Sequence, residues 1–324
     1  MGGAELRRSK SSIEMVRLLL DHGSLTLSEL ARLSGYSKSW TWKTVRRLAS
    51  EGVVTVEKRG GTLIVRTSSE SYKRLLRVGI LRATEYPYIL PFIKKIRNIF
   101  RNVELVVYDE AFQLAFDIAL GKVHLGMAPA VSHLLTHRIS GGLSYIIAGG
   151  SGGGSGIIEG PSGEGHITTM ASSMEFCAEL EGLPFPRKYA RSGEEILRRV
   201  ESGNAKYGVL WQPYLTIAKR RGLKARECNL PFCCVLGANR ALIDKANDIK
   251  RLFAEAIREA RGKLNDPVLV ESYSRVIGFD KHLVRESLSS YVFYEEPPGE
   301  LLRRYWNTLR EVAFPERTLR EALL

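Results

Sequence analysis

The chain has 324 residues, of which 44% are hydrophobic and 26% are charged. At roughly 100 to 200 residues per domain, this length allows two or three domains with ample core. The composition excludes a disordered or collagen-like chain, and no run approaches the roughly 18 apolar residues of a membrane-spanning helix. The first dozen residues also lack the apolar segment of a secretory signal. The sequence therefore predicts a soluble, cytoplasmic protein without a membrane partner.

Charge gives the first functional signal. The 48 Lys and Arg residues exceed the 35 Asp and Glu residues, which gives a net charge of +13. Residues 1–75 hold 14 of the basic and seven of the acidic residues, so more than half of the excess lies on less than a quarter of the chain. Because clustered basic residues are typical of polyanion binding, the N-terminal region is predicted to bind nucleic acid.

The four cysteines are Cys177, Cys228, Cys233 and Cys234. They contain no CxxC pair, so they indicate neither a zinc site nor a disulfide framework, and we expect reduced thiols. With only two glutamines and abundant arginine, the chain could come from a thermophile, where intracellular disulfides are less rare. Cys228 and Cys233 would then be the candidate pair. The histidines lack metal-ligand context, so no metal, cofactor or catalytic residue is predicted.

The first elements along the chain are three helices and a hairpin. Ser11 with Glu14, and Thr26 with Glu29, have the S/T-x-x-E spacing of a capped helix start. The first helix is predicted to end at His22-Gly23 and the second at Gly35, and a third runs from Ser37 to Glu51. Two β-rich runs, 53–58 and 62–66, then flank an Arg-Gly-Gly turn. This order predicts a winged helix-turn-helix domain over residues 1–69.

The segment YSKSWTWKTVRRLASEGVV resembles the recognition helix and wing of MarR-like and archaeal winged-helix transcription regulators. The resemblance implies that the third helix enters the major groove of double-stranded DNA and that the wing tip reaches the adjacent backbone or minor groove. The alternative is that the same charges form a solvated helix face. Trp40 and Trp42 stand where small residues are usual, and could touch a base or pack on another surface such as a dimer partner. The predicted DNA-binding residues are Ser37, Lys38, Ser39, Trp40, Trp42, Lys43, Arg46, Arg47, Lys58 and Arg59.

After a short polar joint, the chain changes to alternating strands and helices. Strands are predicted at 76–81 and 103–108, and helices at 88–100 and 110–120. An internal echo follows, because LGKVHLGMAP at 120–129 matches SGNAKYGVLWQP at 202–213. Each copy follows an amphipathic helix and contains a Gly-x-x-x-x-Gly turn that leads into an apolar strand. The echo predicts two similar α/β lobes.

This echo, together with RVGILRATEYPYILPFIKKI and the return segment FCCVLGANRALIDKANDIKRLFAEAIREA, resembles the type II periplasmic-binding-protein fold of importer receptors and LysR-type effector domains. The usual Asp of the echoed phrase is His124 in one copy and Lys206 in the other. The resemblance implies an α/β bilobal ligand-binding domain at 77–324 after a linker at 70–76. Lobe I would comprise about 77–157 and 236–324, and lobe II about 158–235, with a ligand cleft at the hinge.

The Gly-rich run GGSGGGSG at 149–156 lacks the ending of a P-loop and leads into Ile157-Ile158 rather than a helix. We interpret it as a flexible crossover or as a ligand contact at the hinge. Clefts of open α/β sheets lie at the carboxyl ends of strands, which selects the loops after the predicted strands and a loop before a helix expected near Thr168. The predicted ligand-binding residues are Thr84, Glu85, Tyr86, Ala128, Pro129, Ser151, Ser155, Ser162, Gly163, Trp211 and Tyr214.

These features together favour a ligand-responsive transcription regulator, acting as a homodimer or higher homo-oligomer, with double-stranded DNA and a small-molecule effector as partners. A solute-binding importer receptor is a second hypothesis, which the DNA-binding head and the absence of a signal peptide disfavour. An enzyme similar to the thiamin-pathway pyrimidine synthases is a third. We expect no enzymatic activity, because Cys233 and Cys234 lie in the strand that returns to lobe I, where a core role is the ordinary one.

Overall fold

The computed structural model describes residues 3–68, 71–228, 230, 232–297, 299, 300 and 303. This part of the chain contains a three-stranded, a six-stranded and a five-stranded sheet. Among these described residues, no helix has both the length and the hydropathy to cross a membrane.

The N-terminal unit, called the head below, is built on the three-stranded sheet. Its elements are α1 (Gly3–His22), β1 (Ser24–Thr26), α2 (Leu27–Ser34), α3 (Lys38–Ser50), β2 (Val54–Arg59) and β3 (Thr62–Thr67). The capping box of Thr26 and Glu29 is confirmed, since each residue bonds the backbone N–H of the other. The wing hairpin turns at Gly60 and Gly61, whose φ angles of 53° and 83° favour glycine.

The first helix differs from its prediction. It begins at Gly3 rather than at Ser11, so the Ser11–Glu14 spacing is not a cap. Ser11 and Ser12 are instead buried inside α1. The strand β1, which pairs antiparallel with β3, was not predicted because three residues are too short to show an alternating pattern.

The rest of the chain forms two α/β bodies. The first run of elements is α4 (Ser71–Arg74), β4 (Leu76–Leu81), α5 (Ile89–Ile96), β5 (Val103–Tyr108), α6 (Ala111–Leu120), β6 (Leu125–Pro129), α7 (Ala130–Ser140), β7 (Ser144–Gly153) and β8 (Ser155–Glu159). The second run is β9 (His166–Thr169), α8 (Ser173–Leu180), β10 (Arg187–Ala190), α9 (Gly193–Glu201), β11 (Tyr207–Trp211), α10 (Tyr214–Arg220) and β12 (Lys224–Glu227). The last run is β13 (Cys234–Asn239), α11 (Ala246–Arg261), α12 (Pro267–Ile277), α13 (Lys281–Leu288) and β14 (Tyr291–Tyr294).

Lobe I is the body built on the six-stranded sheet, in the order β14-β7-β13-β6-β4-β5. Lobe II is the body built on the five-stranded sheet, in the order β10-β9-β11-β8-β12. The chain passes from lobe I to lobe II at Gly154, between β7 and β8, and returns between β12 and β13. Residues 155–157, which were predicted in lobe I, thus belong to the sheet of lobe II. Residues 234 and 235, which were predicted in lobe II, belong to the sheet of lobe I.

The echoed segments occupy equivalent places in the two lobes. Gly121 follows α6 with φ 77° and Gly203 follows α9 with φ 72°, and each turn leads into an inner strand, β6 or β11. The residues at the position of the usual Asp tie these turns to a neighbouring strand. His124 Nδ1 accepts the Arg77 backbone N–H at 2.9 Å, and the Lys206 ammonium donates to the Gly160 carbonyl at 2.9 Å. The echoed segments therefore form the same turn from a helix into an inner strand in both lobes.

The head packs on lobe I and shares an apolar cluster with it. Ala119, Leu120 and Leu143 of lobe I are buried in the cluster that holds the core of the head. At the edge of this contact, the Lys122 ammonium lies 3.1 Å from Glu51 of the head and 3.3 Å from Asp117 of lobe I. Residues 71–74, expected to be part of a linker, form the short helix α4. The head is thus joined to lobe I by side-chain packing as well as by the chain.

Candidate DNA interface and interlobe site

Helix α3, the predicted recognition helix, presents basic side chains on the face opposite its core contacts. Thr41, Thr44, Val45 and Leu48 are buried, because these positions lie on one side of a 3.6-residue helix. Lys38, Ser39, Lys43 and Arg46 are exposed on the other side. Ser37 caps the helix by accepting the Trp40 backbone N–H at 3.2 Å. The face that the sequence assigned to DNA is therefore solvent-accessible.

Three of the predicted DNA contacts also make contacts within the head. The Arg47 guanidinium donates to Glu51 Oε1 at 3.3 Å and to the Ser12 hydroxyl, so it ties α3 to α1. Trp40 and Trp42 are half-buried and pack against the apolar cluster of the head. Each of these three side chains helps to pack α3 onto the domain, and contact of the same side chains with DNA stays a prediction.

The wing carries the remaining predicted contacts. Lys58 and Arg59 are both exposed at the end of β2. The Arg59 guanidinium lies 2.9 Å from the Glu57 carboxylate, an exposed pair whose net free energy is small. Arg59 can thus exchange this carboxylate for a phosphate at little cost.

The interlobe site is the contact between the carboxyl ends of β4 and β11. The Trp211 indole N–H donates to the Arg82 carbonyl at 3.1 Å, and the Thr84 backbone N–H donates to the Gln212 carbonyl at 3.3 Å. Ser155 lies directly opposite Trp211 in the antiparallel pair of β8 and β11. Residues that are up to 129 positions apart in sequence are thus adjacent at the hinge.

A buried polar cluster lies beside these contacts in lobe I. The Glu85 carboxyl accepts the Ser151 hydroxyl at 2.7 Å, and the Tyr86 hydroxyl donates to the Cys234 thiol at 3.2 Å. The Cys233 and Cys234 sulfur atoms are 3.2 Å apart. Burial raises the pKa of Glu85 to about 7, because an apolar environment disfavours the charged carboxylate, although bonds from Ser151 and from the thiols oppose this shift. Burial likewise raises the pKa of the Cys234 thiol.

The other predicted cleft residues border this cluster. Ala128 and Pro129 end β6 and are buried opposite Val235 and Cys234 of β13. Tyr214 is also buried, and its ring meets the Trp211 ring edge-on with the centroids 5.3 Å apart. The pKa of Tyr214 is raised by burial and by its hydrogen bond to Glu194. Tyr214 thus supports the Trp211 ring from within lobe II.

Ser162 and Gly163 were placed in the cleft by the sequence and lie elsewhere. Both are exposed, and a Cβ on Gly163 would lie 2.5 Å from the Gly203 carbonyl. This position precedes β9 and adjoins the turn before β11, so it is at the amino ends of these parallel strands. The error arose because a helix was expected near Thr168. Residues 166–169 form β9 instead, and their β-branched residues suit a strand.

The N-terminus of α8 is the part of the site that the sequence analysis missed. The Ser172 hydroxyl caps α8, and Glu175 accepts the Ala171 backbone N–H at 2.6 Å. The Ser132 hydroxyl of lobe I donates to the Ala171 carbonyl of lobe II at 2.6 Å, which places this turn at the lobe contact. The S-x-x-E spacing of Ser172 and Glu175 is the capping signal that could have located it.

The Gly-rich run is a crossover between the lobes, as expected, and it has regular strand structure on both sides of Gly154. It forms the end of β7 and the start of β8, and most of it is buried. A Cβ on Gly150 would lie 2.1 Å from the Cys234 carbonyl, and one on Gly154 would lie 2.2 Å from the Tyr291 ring. The glycines are therefore required because β13 and β14 approach this backbone too closely for a side chain.

The cysteine prediction is wrong. A disulfide joins Cys177 in α8 to Cys228 after β12, with the Cα atoms 6.1 Å apart. Cys233 and Cys234 are free and buried. A pair separated by 51 positions in different elements gives no local signal, which is why the sequence pointed to the nearer Cys228 and Cys233.

Comparison with known proteins supports both parts of this description. Residues 8–55 match the model of a winged helix-turn-helix DNA-binding family. No curated protein sequence matches this chain significantly.

Solved structures match about three quarters of the chain at low sequence identity. The alkanesulfonate-binding protein SsuA from Xanthomonas axonopodis pv. citri, bound to MOPS, is 14% identical with a TM-score of 0.61, covering 77% of this chain and 98% of that one. The zinc-bound ligand-binding component of an ABC-type import system from Staphylococcus aureus is 13% identical with a TM-score of 0.60, covering 76% and 98%. A Candida albicans protein with the generic periplasmic binding protein fold is 10% identical with a TM-score of 0.60, covering 77% and 96%.

These similarities identify folds. The chain combines a winged helix-turn-helix DNA-binding domain with a periplasmic-binding-protein fold. The fold predicted from the sequence, including the fusion of the two parts, is thereby confirmed.

Proposed function

We propose that this protein is a cytoplasmic, ligand-responsive transcription regulator that binds double-stranded DNA through its head and a small effector between its lobes. The observation that carries this proposal is the shared apolar cluster of the head and lobe I. A DNA-binding unit packed on a ligand-binding fold can respond to the ligand, because a movement at their common surface changes the position of the head as well as the conformation of lobe I.

The DNA half of the proposal rests on the exposed face of α3. Within the part of the chain that the structure describes, the side chains of Lys38, Lys43 and Arg46 form no ion pair or hydrogen bond. The Arg47 side chain on the adjoining face, in contrast, bonds Glu51. Long basic side chains at these positions suit phosphates or guanine edges in the major groove. We propose a homodimer or higher homo-oligomer, since winged helices that read two half-sites commonly act as symmetric pairs.

The effector half rests on buried hydroxyl groups at the lobe contact. Ser155 is 4% exposed, and its hydroxyl has no hydrogen-bond partner in the described part of the chain. A buried polar atom without a partner costs roughly 1 to 3 kcal/mol, so such atoms are typical of sites completed by a ligand or water. Ser155, Thr84 and Trp211 meet where the lobes separate, and we propose them as effector contacts together with Glu85 and Ser151.

The test of the DNA half is a comparison of two double variants of the full chain. Lys43→Ala with Arg46→Ala should weaken binding to a duplex selected from a random library, by about 1 to 3 kcal/mol for each side chain that reads a base. The matched control is Lys281→Ala with Arg285→Ala, which removes the same charge from exposed positions of α13. Binding should also weaken steeply with salt through counterion release.

The outcome separates a DNA interface from a general charge effect. If both double variants lose the same affinity, only the net charge matters and α3 is not the recognition helix. A wild-type affinity that does not change with salt would overturn the DNA half of the proposal.

A further inference from the structure

The buried cluster beside the hinge has the composition of a metal site. Glu85, Cys233 and Cys234 each offer one ligand atom, and these three atoms all lie within 4.8 Å of one another. The three residues are at most 6% exposed. Ligand atoms around a tetrahedral zinc ion lie roughly 2.0 to 2.3 Å from the metal and about 3 to 4 Å from one another. Small side-chain rotations would therefore bring the three ligand atoms to the distances that zinc requires.

The surrounding hydroxyl groups support the ligands. The Ser151 hydroxyl donates to Glu85 at 2.7 Å, and the Tyr86 hydroxyl donates to Cys234 at 3.2 Å. The Cys233 carbonyl accepts the Ala130 backbone N–H at 2.9 Å, which fixes the start of β13 against α7. Bonds of this kind orient metal ligands in known sites and are costly to remove.

We propose that Glu85, Cys233 and Cys234 bind one thiophilic divalent cation of the Zn²⁺ type, and that this cation is the effector, or part of the effector, of the regulator. The second half of this proposal rests on the function proposed above. Two thiolates disfavour Mg²⁺ and Ca²⁺, which prefer oxygen ligands, and the carboxylate disfavours Cu⁺, which prefers sulfur alone. Binding releases the two thiol protons to solvent, together with the Glu85 proton wherever that carboxyl is protonated, and leaves the fourth position for water or an anion.

The position of the cluster connects it to both lobes and to the head. Cys233 ends the return crossover, and Ser151 lies just before the outward crossover at Gly154. Ser173, at the start of α8 in lobe II, hydrogen-bonds Cys233. A cation bound here would therefore act on both crossovers, where a small change alters the angle between the lobes.

Helix α7 gives the cluster a direct connection to the head. Its first residue, Ala130, bonds the Cys233 carbonyl, and the helix ends at Ser140. Beyond its end, Leu143 is buried in the apolar cluster of the head and Gly141 adjoins Arg17 of α1. A shift of Cys233 on metal binding would thus move a helix that contacts the DNA-binding domain at its other end.

The experiment titrates the full chain with Co²⁺ under anaerobic conditions. The other two cysteines form a disulfide, so thiolate-to-cobalt charge-transfer absorption would report Cys233 and Cys234 alone. We expect one Co²⁺ per chain, displaced by Zn²⁺ and not by Mg²⁺. Cys234→Ser and Glu85→Gln should each weaken binding at least about 10-fold, the lower end of the loss seen for supporting residues. Asp117→Asn, a buried carboxyl elsewhere in lobe I, is the control and should bind like the wild type.

Circular dichroism and a thermal melt establish that each variant is folded before its affinity is used. Absence of the charge-transfer band in the wild type, or equal loss in the Asp117→Asn control, would overturn the metal site. The effector role is tested separately by DNA affinity with and without Zn²⁺, where we expect a change of at least about 5-fold. Metal binding without any change in DNA affinity or footprint would overturn the effector role. Failure to bind DNA even without metal would instead count against the proposed function.

Discussion

The replacement Trp211→Phe should loosen the contact between the lobes by a predictable amount. Phenylalanine keeps an aromatic ring against Tyr214 but cannot donate the 3.1 Å hydrogen bond from the indole N–H to the Arg82 carbonyl. A neutral hydrogen bond contributes about 0.5 to 1.5 kcal/mol net, so the closed arrangement should lose about 1 kcal/mol. At 25 °C this corresponds to roughly a 5-fold larger open population.

The backbone N–H of Thr84 reports this opening. It bonds the Gln212 carbonyl across the lobes at 3.3 Å, so it exchanges with solvent when the lobes separate. Hydrogen exchange followed by mass spectrometry on the peptide that contains Thr84 should therefore be about 5-fold faster in Trp211→Phe, if local opening precedes exchange. A ligand specific for the closed form would lose affinity by no more than a similar factor.

Tyr108→Phe is the matched control for this prediction. It removes a 3.1 Å hydrogen bond from Tyr108 to Asp117, which lies entirely within lobe I. This variant should leave exchange at Thr84 unchanged. Equal exchange at Thr84 in the wild type and in Trp211→Phe would refute the interpretation of Trp211 as an interlobe contact. Equal acceleration in both variants would show a general loss of stability instead.

Two further predictions concern the core of lobe I. Burial lowers the pKa of His133 from 6.5 to about 4. Between these two pH values the unfolded chain binds a proton at His133 that the folded chain does not bind. The free energy of unfolding should therefore decrease by up to about 3 kcal/mol as the pH falls through this range. Urea unfolding at several pH values should show a smaller loss in a folded His133→Phe variant, and an unchanged loss would exclude His133 as its source. Gly150→Ala would place a Cβ 2.1 Å from a carbonyl oxygen of β13 and should lower the free energy of unfolding by about 3 kcal/mol or more. The control is Gly262→Ala, where φ is −75° and the nearest atom to the new Cβ is 3.7 Å away, and this variant should be neutral or slightly stabilising. Equal unfolding free energies for the two glycine variants would contradict this steric argument.

The sequence predicted what depends on local patterns. The cap at Thr26, the stop at Gly35 and the echoed turns at Gly121 and Gly203 are each set by neighbouring residues, and the structure has all four. These signals specify helix ends and strand entries, which sufficed for the main elements of the head and for the repeat of two lobes, but not for β1 or for the strand at 166–169.

The candidate site was only partly predictable because its residues come from distant parts of the chain. Topology alone brought Thr84, Ser155 and Trp211 to the hinge, since strand ends in such sheets face the same cleft. The approach of Glu85 to Cys233 and Cys234 depends on how β13 inserts between β6 and β7, and no spacing in the sequence encodes that pairing. Ser162 was misplaced through a wrong secondary structure at one short segment, which moved a whole loop to the opposite edge of the sheet.

The packing of the head on lobe I limits how an effector could alter DNA binding. The head contacts α6 and α7, and Asp21 of α1 lies 3.9 Å from Arg240, which follows β13. These contacts all belong to lobe I, so a rigid rotation of lobe II about the crossovers would leave them intact. An effector that acts on a single head must therefore work through lobe I, for example by displacing α7 or β13, which both reach from the cluster at Cys233 to the head. An effector that only closes the lobes would have to act by changing the spacing of two heads in an oligomer. Such an effector would alter the footprint on paired half-sites without changing the affinity for one half-site.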